Sequence, residues 1–130
     1  MHLYVPLQRR HGYGEVARAA FALAAQAAEV EPELITIEFR KKERGDRVFL
    51  DATRIGPGKH VVAAYSPRAR PGGMVSFPVP WKDLERVAPQ DFTIRNVPKL
   101  IGDTDPWRDL MPSPQRLRQD LIREDSPAPD

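Results

Sequence analysis

Twelve of the fourteen prolines in this 130-residue chain lie at Pro57 or later. Proline lacks a backbone N–H and fixes φ, so it is kept out of central strands and helix interiors. The second half is therefore restricted to short strands, turns and short helices. The first half has the opposite bias. Glu15 to Val30 holds eight alanines, and alanine is the best helix former. This segment reads as the one long helix, ending before Pro32. Val16, Ala20, Leu23, Ala27 and Val30 form one stripe, widened by Phe21. The small side chains would let a sheet approach closely.

The remaining segments follow from local pattern. His2 to Leu7 alternates and is rich in β-formers, so it reads as a strand, and His11 to Gly14 as a turn. Leu34 to Phe39 is ambiguous between strand and helix entry. Arg47 to Ala52 reads as a strand, Ile55 to Gly58 as a turn, and His60 to Tyr65 as the hairpin partner. Met74 to Val79 fits an edge strand, because Pro78 cannot donate to a central ladder. Short helices are expected at Trp81 to Val87, Val97 to Ile101 and Pro106 to Leu110. A polar helix is expected at Pro114 to Glu124, and a disordered end at Ser126 to Asp130.

Composition limits the class. Apolar residues are 41% and charged residues 29%, the profile of a soluble globular domain. No stretch approaches the ~20 apolar residues of a membrane span; Ala17 to Val30 carries Arg18, Gln26 and Glu29. The first residues lack the pattern of a signal peptide. There is no cysteine, which excludes disulfides and thiolate sites and fits a cytoplasmic location. The net charge of +2 is unevenly spread: Arg40 to Arg70 has nine bases and three acids, and Asp103 to Asp130 has seven acids and four bases. A basic middle suggests a polyanionic partner, and a solvated face is the alternative.

Few residues stand out for chemistry. Asp51 ends an apolar strand beside the basic segment. It could hold a divalent cation for phosphate chemistry, although the residues alone favour a strand-end turn cap. Arg44 and Arg68 would approach Asp51 if the strands at 47–52 and 60–65 pair, and arginine binds phosphate oxygens bidentately. His2 sits on the first strand and could serve as a phosphate donor or metal ligand, although a lone histidine is more often a satisfied structural residue; His11 and His60 carry less signal. Asp103-Thr104-Asp105 resembles a paired-carboxylate metal motif, but Asp before Pro106 reads as a turn or a helix N-cap. Gly12-Tyr13-Gly14 could attract an anion at a helix start. No Gly-x-x-x-x-Gly-Lys, Gly-x-Gly-x-x-Gly or His-Glu-x-x-His occurs.

The order of several segments resembles one family. His2-Leu3-Tyr4-Val5-Pro6-Leu7, Arg40-Lys41, Arg44-Gly45, Val48-Phe49-Leu50-Asp51, Ala63 to Pro71, Phe92-Thr93-Ile94-Arg95 and Asp105-Pro106-Trp107 are similar to the polymerase domain of bacterial DNA ligase D, in the archaeo-eukaryotic primase superfamily. The likeness covers about Met1 to Leu110. It implies nucleotidyl transfer in DNA end joining, with three carboxylates holding two Mg or Mn ions. Asp51 matches the third carboxylate and metal ligand. His2, Arg44 and Arg68 match the residues around the triphosphate, and Arg70 lies in the same run. The family's Asp-x-Asp pair and its Ser-Gly loop have no counterpart here. Glu43, Ala52, Ile55 and Ala64 depart from the usual residues.

The resemblance implies an α+β fold: a mostly antiparallel sheet with one long helix and several short C-terminal helices, part of a primase-type polymerase core. Residues 1–111 would form the carboxy-terminal half of that domain, and 112–130 a polar helix and tail. The expected function is a truncated or split polymerase module, inactive alone for want of the carboxylate pair. A non-catalytic DNA- or nucleotide-binding module and a gene remnant are the alternatives. Expected partners are DNA ends and nucleotides, with an upstream polymerase half, a ligase or Ku on other chains. No membrane partner is expected, and an exposed sheet edge would favour self-association.

Overall fold

The alanine-rich segment forms an 18-residue helix, α1 (Tyr13–Val30). The Glu15 carboxylate accepts the Gly12 N–H at 3.0 Å, satisfying one orphan donor at the helix start. In the computed structural model, residues 1–123 are described. They pack as two compact units: Met1–His60 with the segment from Pro114, and Val61–Ser113. Among the described residues no helix is long and apolar enough to cross a membrane.

In the first unit, α1 is followed by β1 (Ile35–Thr36), α2 (Lys41–Arg44) and β2 (Val48–Phe49). The two strands are parallel, Ile35 opposite Val48 and Thr36 opposite Phe49. The Val48 N–H donates to Leu34 O at 2.7 Å and the Leu50 N–H to Thr36 O at 2.9 Å. Parallel pairing needs a crossover. Here α2 supplies it, and Gly45 reverses the chain at φ +57°, a conformation that glycine adopts without a Cβ penalty. Buried Thr36 keeps its hydroxyl satisfied by accepting the Glu38 N–H at 3.1 Å.

The core of this unit is small. Ala19, Ala22 and Leu121 are buried together, with Leu117 and Ile122 packed against them. The buried line of α1 is Ala19, Ala22 and Ala24, while Leu23 and Val30 of the expected stripe are exposed. The returning segment takes the alanine line because the missing side-chain bulk lets its leucines come close. That segment is not the expected polar helix. Gln115 bridges Leu7, with the Gln8 N–H on Gln115 O and the Gln115 N–H on Pro6 O, both at 2.9 Å. Only Gln119–Leu121 forms a 3₁₀ turn. Apart from that bridge, His2 to Leu7 makes no strand. Glu124 and the expected disordered end lie outside the described residues.

The second unit is stitched by single bridges. The Tyr65 N–H donates to Ser76 O at 2.6 Å, the Ser76 N–H to Ser66 O at 3.0 Å and the Arg68 N–H to Met74 O at 2.7 Å. On the other side, the Val75 N–H donates to Phe92 O at 2.8 Å and the Ile94 N–H to Gly73 O at 2.9 Å. Met74–Val75 is therefore the middle of three antiparallel segments, not an edge, with bridges to Pro67 and Thr93. Phe77 stacks on Phe92 with centroids 4.7 Å apart and meets Tyr65 edge-on at 5.9 Å. A 3₁₀ helix at Trp81–Arg86, α3 (Val97–Ile101) and α4 (Pro106–Leu110) stand where the sequence puts them.

The class is α+β, but the expected mostly antiparallel sheet is absent among the described residues, where the named sheet is the parallel β1–β2 pair. The expected hairpin of 47–52 with 60–65 does not form: β2 takes β1 as its partner, and Tyr65 turns to Ser76. The prolines explain the short pairings after Pro57, because each removes a ladder donor.

Gly73 and Gly14 give opposite predictions. Gly73 has φ +59°, and a Cβ there would meet Ile94 Cγ1 at 3.1 Å. Gly73→Ala should destabilise by about 1–2 kcal/mol. Gly14 is helical, and a Cβ there would make only an ordinary contact with the Arg18 side chain at 3.9 Å, so Gly14→Ala should stabilise by about 0.5 kcal/mol. Urea denaturation of both variants checks the signs.

Candidate functional site

The residues marked in the sequence fall in both units: His2, Arg44 and Asp51 in the first, Arg68 and Arg70 in the second. Asp51 lies just beyond β2. Its Oδ1 accepts the Thr53 N–H at 2.9 Å and the Thr53 hydroxyl at 2.5 Å. Its Oδ2 is 3.6 Å from Arg54 Nε. This is an Asx turn, the strand-end cap that the residues alone favoured. Burial works to raise the Asp51 pKa, but the Thr53 hydrogen bonds and the Arg54 charge outweigh it and hold the carboxyl below its ordinary 3.8.

Arg44 is also turned to local work. Its Nε donates to Glu38 O at 2.9 Å and its Nη2 to Phe39 O at 2.6 Å. The guanidinium lies 3.8 Å from the centroid of the Phe49 ring, a cation–π contact. It ties α2 to the connection after β1 and to β2. His2 is exposed, its ring edge-on to Tyr4 at 6.2 Å. No group of three or more His, Asp or Glu side chains among the described residues is arranged to hold a metal ion. A single carboxylate does not fit a two-metal centre, and no metal-borne step is assigned to these residues. Asp105 is a helix N-cap as expected, accepting the Trp107 N–H at the start of α4.

The second unit holds an open cleft of about 520 Å³, lined by Val61 to Ala63 and Ser66 to Arg70. Its lining has two arginines, one serine and no acid. Arg68 is half-buried and Arg70 exposed. Neither side chain makes a hydrogen bond or ion pair among the described residues, whereas Arg54, Arg108 and Arg118 each face an aspartate. Unpaired guanidinium groups in an acid-free cleft suit phosphate oxygens, which they bind bidentately.

The cleft turn begins at Tyr65, whose φ of +64° is the one positive value on a non-glycine residue among those described. A bulky side chain there costs on the order of 1–3 kcal/mol. Its hydroxyl donates to Asp105 Oδ1 at 2.8 Å and accepts the Trp107 N–H at 2.8 Å. Asp105 Oδ1 also lies 3.1 Å from that N–H. Tyr65 and Asp105 both stand in segments that carry the family likeness, but nothing in the sequence couples residues 40 positions apart. Only the fold exposes that contact.

The node titrates at both ends. Burial, followed by the hydrogen bond and charge of Asp105, raises the Tyr65 phenol above its ordinary 10.0 against the opposing Trp107 N–H. The Tyr65 hydrogen bond leads in lowering Asp105 below 3.8. A raised phenol pKa gives stability that is complete below pH 10 and lost as pH rises through the higher folded value. A lowered carboxyl pKa gives stability present above about pH 4 and lost as pH falls through the lower folded value. An alkaline absorbance titration of wild type minus Tyr65→Phe should place the missing ionisation above pH 10, and the variant should lose part of the alkaline fall in stability.

Residues 1–107 match the family described as the LigD primase-polymerase domain. The chain is similar to the multifunctional non-homologous end joining protein LigD of Pseudomonas aeruginosa, 37% identical over an alignment of 129 residues that covers 95% of this chain and 15% of that protein. It is 30% identical over 118 residues to the bifunctional non-homologous end joining protein LigD of Bacillus subtilis, covering 88% of this chain and 19% of that protein. For the multifunctional LigD of Mycolicibacterium smegmatis the identity is 28% over 111 residues, 85% of this chain and 14% of that protein. The chain thus spans less than a fifth of the length of these relatives. With the match running over most of its residues, the chain belongs to the LigD primase-polymerase domain family.

Proposed function

We infer that this chain supplies the nucleotide-phosphate side of a LigD-type polymerase site acting in DNA end repair in the cytoplasm. The observation that supports this best is the acid-free cleft at Ser66–Arg70, with the half-buried Arg68 unpaired among the described residues, in the run that carries the family likeness. Arg68 and Arg70 would take the triphosphate of an incoming nucleotide. His2 and Arg44, in the other unit, are proposed as phosphate contacts on the family likeness alone.

Asp51 would be one carboxylate of a Mg or Mn centre whose other ligands are not among the described residues. The chain by itself is therefore proposed to bind without polymerising. An upstream polymerase half, on the same or another chain, would complete the site, with a ligase and Ku as further partners at DNA ends. Exposed Leu3, Val5, Leu23 and Val30 favour self-association when no such partner is present.

Calorimetric titration with ATP at two salt concentrations tests the reading. Affinity should lie in the range of roughly 10⁻⁴ to 10⁻⁶ M and fall steeply with salt. Arg68→Ala should weaken binding about tenfold or more, as for the loss of a charge-assisted pair. Arg86→Ala, on the exposed 3₁₀ helix, should leave it unchanged. Equal affinities for the two variants, or indifference to salt, would remove the phosphate site. Primer extension with Mn²⁺ by the chain alone, abolished by Asp51→Ala, would overturn its proposed incompleteness.

A further inference from the structure

The Arg68 cleft follows a turn that is held partly from outside its own residues, through Tyr65. Ser66, Pro67 and Arg68 follow directly on Tyr65, whose left-handed backbone swings the chain from Ala63 back toward Met74. Glycine or asparagine would take that conformation at less steric cost. A tyrosine is instead kept there by its side chain. The hydroxyl is both donor and acceptor, to Asp105 Oδ1 and from the Trp107 N–H, each at 2.8 Å. The ring edge rests on Phe77. The backbone N–H is fixed on Ser76 O, and two residues later the Arg68 N–H is fixed on Met74 O. Tyr65 itself does not line the cleft.

Asp105 has a double duty. It caps the first turn of α4 and receives the Tyr65 hydroxyl. The start of α4 is thus the anchor for a loop 40 positions earlier. A capping aspartate alone explains neither the tyrosine nor its backbone. A half-buried tyrosine alone does not require a positive φ.

We propose that Tyr65, Asp105 and the Trp107 N–H form a positioning clamp that sets the Arg68 guanidinium for a polyphosphate ligand. The clamp rests on the reading of the cleft as a phosphate site, and it adds residues that never touch the ligand. Removing the hydroxyl frees the turn and spreads Arg68 over several orientations, so binding weakens through lost preorganisation.

The test is titration of the whole chain with ATP and with inorganic tripolyphosphate. Tyr65→Phe removes both hydroxyl bonds and keeps the ring. It should weaken binding of both probes about fivefold, and by no more than Arg68→Ala does. Asp105→Ala should do the same, while Asp105→Asn, whose side-chain oxygen still accepts from Tyr65 and Trp107, should restore at least half of the lost affinity. In an Arg68→Ala background, Tyr65→Phe should have no further effect, because the clamp acts through Arg68. A purely structural role for Tyr65 would move stability alike but would not vanish when Arg68 is gone.

The outcomes separate the two levels. If Arg68→Ala weakens binding and Tyr65→Phe does not, the clamp falls and the phosphate site stands. Equal losses from Tyr65→Phe with and without Arg68 also overturn the clamp. If Arg68→Ala has no effect, or wild type binds neither probe, the phosphate site falls and the clamp with it. Should Tyr65→Phe fail to fold, the comparison of Asp105→Asn with Asp105→Ala decides: equal affinities of the two would overturn the clamp, and rescue by Asn would support it.

Discussion

Val61–Ser113 is held by isolated backbone hydrogen bonds rather than by ladders, and each such bond contributes only about 1 kcal/mol net. In a segment so poor in regular pairing, a side-chain bond that closes a long loop has unusual leverage. The Tyr65 hydroxyl on Asp105 is that bond. It fixes the only left-handed non-glycine residue among those described, sets where the Ser66–Arg70 turn leaves the aromatic stack of Tyr65, Phe77 and Phe92, and joins that turn to the start of α4. The proline content adds to that leverage, because Pro67, Pro71 and Pro78 interrupt the segments that would otherwise carry longer strands.

The two arginines singled out from the sequence differ in what their surroundings ask of them. Arg44 is engaged locally, with carbonyl acceptors at Glu38 and Phe39 and a ring beneath it. Arg68 has no such partners among the described residues and borders an open, acid-free cleft. Both are arginines in a basic stretch, and the sequence weighs them alike. The difference lies in backbone carbonyls and ring faces, which no residue pattern displays. Asp51 shows the same limit from the other side. Its Thr53 and Arg54 contacts make a sound turn cap, and they leave its oxygens partly occupied.

Much of the architecture was legible where local chemistry decides. The alanine run gives α1, and Pro98, Pro106 and the Asp105 cap give α3 and α4 at their expected bounds. The family likeness was legible because several short segments occur in one order. What was not legible depended on partners distant in sequence. Leu23 and Val30 look like a buried stripe until Leu117 and Leu121 take the alanine line instead. Val48 and Phe49 look ready to pair with His60 to Tyr65 until the α2 crossover hands them to Ile35 and Thr36. Met74 looks like an edge strand until Thr93 closes its second side.

The central claim is that residues 66–70, held by Tyr65, are where this chain meets a polyphosphate. Amide chemical-shift mapping of the isotopically labelled chain, titrated with inorganic tripolyphosphate at low salt, tests it most directly. The largest saturable shifts should fall on Ser66, Arg68, Ala69 and Arg70, with smaller ones passing through Tyr65 to Trp107, and the shifts should collapse when salt is raised. Shifts centred instead on Arg40–Arg47, or spread evenly over the basic surface with no saturation, would contradict it.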